Sequence, residues 1–203
     1  SRLVERDMNR LWGAAAREAP RSADHRRVHA LRPFVERADW LLDLHSMHDA
    51  GPPLGLTGPL GHHAVQAAAL GAPAMLVADA GHAAGVRMRD HGRFADAKDT
   101  DAFALLVECG WHGALSSKTV ALDVLHRFLA ASGVVAPQHL PAAWRQADGD
   151  APHLLEVTEA ITVIAGAPPR FAKPWRTGDV IERSGTLIGH NGGRALLSPY
   201  DHC

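Results

Sequence analysis

Apolar residues gather in three short runs, at residues 40–44, 74–78 and 103–107, the first broken only by Asp43. Runs of this length between turn residues predict buried β-strands. Elsewhere the apolar positions recur every three or four residues, the period of a helix face. Ser22 caps a predicted helix over residues 22–38, whose apolar side is Val28, Leu31, Phe34 and Val35. Pro33 kinks or breaks it. Residues 63–70 predict a second helix, closed by Gly71. A third begins at Ser116 or Ser117, carries Val120, Val124, Leu125, Phe128 and Leu129 on one face, and closes at Gly133. Residues 49–61 are rich in Gly and Pro and predict loop, as does the charged stretch 81–101. Strands alternating with helices imply an open, twisted, mostly parallel α/β sheet flanked by helices.

The pattern changes after Gly133. Pro137, Pro141, Gly149 and Pro152 mark a linker; residues 155–164 favour β-structure, and Gly178, Gly185, Gly189, Gly192 and Gly193 space out short strands. The expected division is an α/β domain over residues 1–143 and a small β domain over 144–203, each incomplete.

The 203 residues suit one good domain plus a small one. With 21 basic and 22 acidic residues the net charge is -1, so charge favours neither nucleic acid nor an anionic membrane as a partner. No apolar run is long enough to span a bilayer. The two cysteines, Cys109 and Cys203, make no disulfide framework, and a reducing cytoplasm is the expected compartment. The 14 histidines are unusual, with His45 near His48, His62 beside His63, and His82 near His91.

Three places carry candidate chemistry. The first strand ends in Asp43-Leu44-His45, and side chains two apart on a strand share a face, so Asp43 is placed to orient His45 as a metal ligand. The third strand ends at Glu108, before Cys109-Gly110 and Gly113. Adjacent parallel strands would bring Glu108 and His45 into one crevice at their carboxyl ends, where open α/β sheets bind ligands. Glu108 is then either a general base beside a zinc-bound water or a strand-end carboxylate paired with an arginine. Near the N-terminus, Asn9 and Arg10, assisted by Arg2, have the donors to hold a substrate carboxylate.

In this order the three segments resemble the aspartoacylase branch of the succinylglutamate desuccinylase/aspartoacylase family. Ser1 to Arg10 contains a stretch, from Arg2 onward, similar to its R-x(6)-N-R segment; Asp39 to Ser46 is similar to its D-x-x-x-D-L-H strand, and Glu108-Cys109-Gly110 with Gly113 to its E-x-G-x-x-G turn. The resemblance implies a zinc-carboxypeptidase-like fold and zinc-dependent hydrolysis of the amide bond of an N-acyl amino acid, with one Zn²⁺ per subunit. His45 would be a zinc ligand and Asp43 its orienting carboxylate. Glu108 would act as base and then acid, while Asn9, Arg10 and Arg2 would hold the substrate. A homo-oligomer is compatible with this reading.

The family draws two more zinc ligands from an H-x-x-E motif that precedes the Asn-Arg segment. Those two ligands are therefore expected upstream of Ser1, in an N-terminal segment that the chain is expected to lack. The H-x-x-E at His153 to Glu156 lies after the linker and reads as chance. His48, His82, His91 and His112 are substitute ligands of lower rank, Cys109 a small buried residue rather than a nucleophile, and Tyr200, Asp201 and His202 weak site candidates. The rivals are a carboxypeptidase-like zinc peptidase, an inactive fold-mate binding a small carboxylate or partner chain, and a histidine-rich nickel or copper binder.

Overall fold

A computed structural model describes residues 4–203. Two units divide it, residues 1–157 and 158–203. The first contains a five-stranded sheet built from β1 (Trp40–Met47), β2 (Leu54–Leu56), β3 (Met75–Ala78), β4 (Phe103–Trp111) and β5 (His153–Glu156), in the order β1-β4-β2-β3-β5. Three of its four pairings are parallel, and β2 runs antiparallel to β4. The helices are α1 (Ala23–Val35), α2 (Gly61–Leu70) and α3 (Leu115–Ala131).

Alternation along β4 divides the core. Phe103, Leu105, Val107 and Cys109 pack on one face against Ala67 and Leu70 of α2 and Val124 and Phe128 of α3. Ala104 faces the other way, onto Trp12, Val28, Val35 and Phe94. Leu105 is fully buried, so Leu105→Ala would cost about 3 kcal/mol. Leu41 belongs to the second face with Ala104, and the period of two carries Asp43, His45 and Glu108 onto that side as well.

Several expectations are corrected. The first strand is not buried: β1 is a half-buried sheet edge with β4 as its neighbour. The stretch 49–61 is not all loop, because β2 inserts between β4 and β3. A Cβ at Gly55 would lie 2.9 Å from Leu76 Cδ2 and 3.1 Å from Leu105 Cδ1, so glycine permits that close passage. β4 continues past Glu108 to Trp111. The first helix ends at Val35 with Phe34 exposed. Ser22 does cap it, its side chain accepting from the His25 N–H. The third helix has Ala114 at its N-cap, and Ser117 Oγ donates instead to the Trp111 carbonyl at 2.7 Å.

The second unit holds a small antiparallel sheet of β6 (Arg170–Phe171), β7 (Leu187–Asn191) and β8 (Arg194–Leu197). The division falls after Val157 rather than near residue 144, because His153 to Glu156 pair with Met75 to Ala78 in the larger sheet.

Candidate functional site

The parallel register of β1 and β4 sets His45 opposite Glu108. The ladder becomes irregular between His45 and Met47, so regular pairing ends at these two residues. Asp43 Oδ1 lies 2.9 Å from His45 Nε2. A carboxylate oxygen accepts only, so Nε2 carries the hydrogen, and Nδ1 holds the lone pair of the neutral ring. This is the carboxylate–imidazole pairing that orients histidine ligands.

Asn9 secures the pair. It sits in a single-turn 3-10 helix (Met8–Arg10), whose preceding Asp7 accepts from the Asn9 N–H. The buried Asn9 amide donates to Asp43 Oδ2 at 3.1 Å and lies 3.3 Å from His45 Nε2. Its Oδ1 accepts from the Met88 N–H at 2.6 Å. Both ends of the amide are thus engaged by protein groups. Arg10 is half-buried; Nη1 donates to the Asn9 carbonyl at 2.7 Å and Nη2 lies 3.7 Å from Asp7. Ser1 and Arg2 lie outside the described residues, so the expected part of Arg2 in holding substrate, and that of ligands upstream of Ser1, fall beyond the site seen here.

Glu108 is half-buried, and its Oε2 is buried without a hydrogen-bond partner among the described residues. A buried carboxylate oxygen left unpaired is costly, so it marks a place where a ligand or water would be stabilising. Burial, and then the neighbouring Glu108 charge, push the Cys109 thiol up to about 11, which opposes a nucleophilic thiolate.

Among the described residues no three His, Cys, Asp or Glu side chains come together as a metal site. Next to His45 the described residues supply an orienting carboxylate and a general-base candidate, but not a zinc-ligand set. Of the other histidines, His48 and His112 lie together away from His45, with ring centroids 4.5 Å apart, and others are engaged elsewhere. His91 is buried 5.5 Å from the Trp12 ring, with Nε2 3.3 Å from Glu36. His82 Nδ1 accepts from the Ala84 N–H. His153 and Glu156 occupy an exposed strand, where residues three apart point to opposite faces and cannot converge. Tyr200 and Thr158 hydroxyls are 2.7 Å apart, Asp201 accepts from the Ser184 N–H, and His202 pairs with Glu182.

Sequence reasoning missed the support beneath Asn9. Arg87 makes two bonds to Asp79, at 2.8 and 3.0 Å, and another to Asp90. Arg89 is buried and donates to the Thr57 and Ala104 carbonyls and to His63 Nδ1. It crosses over Gly58, where a Cβ would overlap its guanidinium. Together the two arginines fix the turn Met88–Asp90, whose first N–H holds Asn9. Charged residues without periodicity read as solvated loop, and the Arg-Met-Arg-Asp run gave no sign of burial.

No protein-family model matches the sequence, and no curated protein sequence matches it. Solved structures do match in three dimensions. A succinylglutamate desuccinylase/aspartoacylase from Rhodobacter sphaeroides aligns over 99% of this chain and 63% of its own, with 18% identity and a TM-score of 0.64. A succinylglutamate desuccinylase from Vibrio parahaemolyticus aligns over 99% and 60%, with 15% identity and a TM-score of 0.65. The product-bound ectoine utilization protein EutE (DoeB) from Ruegeria pomeroyi aligns over 94% and 61%, with 15% identity and a TM-score of 0.54. The chain therefore spans under two thirds of the length of these proteins. At such identities the likeness is one of fold: the chain folds as the succinylglutamate desuccinylase/aspartoacylase structures do.

Proposed function

We propose that the chain belongs to an enzyme that hydrolyses the amide bond of an N-acyl amino acid. The observation that carries this reading is the pairing of His45 with Glu108 across two parallel strands, with Asp43 and Asn9 orienting the imidazole. Glu108, with its unpaired buried oxygen, takes a proton from the attacking water and returns it to the departing amine. Arg10 holds the substrate carboxylate through a charge-assisted bond, and Asn9 serves as a positioning group. Zinc dependence is part of the proposal, with His45 as one ligand; it requires two further ligands that the described residues do not supply beside His45.

The test is a deacylation assay on a panel of N-acyl amino acids and peptides, with metal content measured by mass spectrometry. Glu108→Gln should lower turnover by about 10²-fold or more while leaving the fold intact. Near-normal turnover in that variant would refute its role. The bonding of Asp43 to both His45 and the Asn9 amide, protein group to protein group, favours a second reading, a non-catalytic fold-mate that binds a small carboxylate. That reading expects neither turnover nor metal, together with saturable carboxylate binding that Arg10→Ala abolishes.

A further inference from the structure

We propose that His48 and His112 form a second, separate metal site, made of two imidazoles and selective for Cu²⁺ or Ni²⁺. Both residues lie just beyond the irregularity that ends regular pairing of β1 and β4. The His112 N–H donates to the Met47 carbonyl at 2.9 Å, which ties the two chain segments together at that point. The rings meet edge to face, with centroids 4.5 Å apart and planes at 81°. Ser46 Oγ lies 2.7 Å from His112 Nδ1. When that nitrogen donates to the hydroxyl, Nε2 of the neutral ring carries the lone pair, the tautomer a metal needs.

The separation of the rings allows a shared ion, and the ligand type suggests which one. A cation bound ~2.1 Å from a ring nitrogen lies ~3.2 Å from the ring centroid. Two rings 4.5 Å apart then subtend an angle of about 90° at the cation. The two rings are thus close enough to share one ion once His48 turns its nitrogen toward it. Imidazole nitrogens bind Cu²⁺ more tightly than other divalent first-row ions, with Ni²⁺ next before it in the series. Both histidines are exposed, so His48 has room to turn about its broad second torsion, and water can complete the coordination. His112 contacts Ser46, whereas Asp43 holds His45.

The inference does not depend on amide hydrolysis. Its test is titration of the purified protein with Cu²⁺ at about neutral pH, followed by quenching of Trp111, which is 47% exposed and adjacent to His112. Electron paramagnetic resonance then counts the coordinated nitrogens. The expected result is one saturable copper per chain with two imidazole nitrogens. His48→Ala and His112→Ala should each weaken binding by about tenfold or more, and His45→Ala should leave it unchanged. His48→Gln and His112→Gln keep side-chain bulk, and circular dichroism checks the fold. Copper binding that survives in the double variant, or that is lost in His45→Ala instead, overturns the proposal.

Discussion

His63 should make the first unit sensitive to mild acid. It is fully buried in α2. Its Nε2 lies 3.1 Å from the Ala102 carbonyl, and its Nδ1 accepts from Arg89 at 2.7 Å. Since Arg89 can only donate, the ring is held neutral, with its single hydrogen on Nε2. Burial, then the Arg89 charge and then His62, lower its pKa from 6.5 to about 4. The unfolded chain therefore takes up a proton at a pH where the folded chain refuses it. The contribution to stability is complete above the unfolded value of 6.5 and is lost as pH falls toward 4. Over that whole window the loss is about 3 kcal/mol; between roughly pH 6 and pH 4.5 it is about 2 kcal/mol. Gln at this position keeps one donor and one acceptor but does not titrate. Urea unfolding, followed through Trp12 and Trp40, should show wild type losing about 2 kcal/mol more than His63→Gln between those pH values. Parallel losses in the two proteins would refute the argument that Arg89 and burial hold this histidine neutral.

Two further outcomes follow from the same structure. Ser22→Ala removes the side-chain cap of α1 and should cost about 1 kcal/mol in denaturant unfolding; an unchanged midpoint would show that the 3.0 Å bond to the His25 N–H contributes nothing. With its thiol buried and pushed up to about 11, Cys109 should resist a thiol reagent in the native protein, while the less buried Cys203 reacts; rapid modification of both would contradict that burial.

The legible part of the fold lay where one physical cause dominated. The unbroken apolar run of β4 announced a strand covered on both faces, and Gly71 announced a helix end by adopting a left-handed conformation. Asp43 and His45 were legible as partners because a spacing of two fixes their common face. Three-residue β2 was not, since its Leu-Gly-Leu is too short to show a period and its pairing is decided by distant residues. Arg87 and Arg89 were invisible for a related reason. Their burial rests on carboxylates and carbonyls brought together only by the fold, so nothing adjacent in the chain marks them. Asn9 was legible as a polar residue of consequence, but its bonds to Asp43 and to the Met88 N–H were not, because both partners are distant in the chain.

The reversal at β2 decides which loops can evolve beside the candidate site. β1 and β4 point one way, while β2, β3 and β5 point the other. Leu54, the first residue of β2, is the ladder partner of Glu108, the residue at which β4 leaves its regular register with β1. The sheet margin at His45 and Glu108 is therefore bordered by a segment entering a strand as well as by segments leaving one. Residues 48–53, between the end of β1 and the start of β2, are held there at both ends. A change of length in that segment would reshape this margin of the sheet while the paired register of His45 and Glu108 stayed fixed.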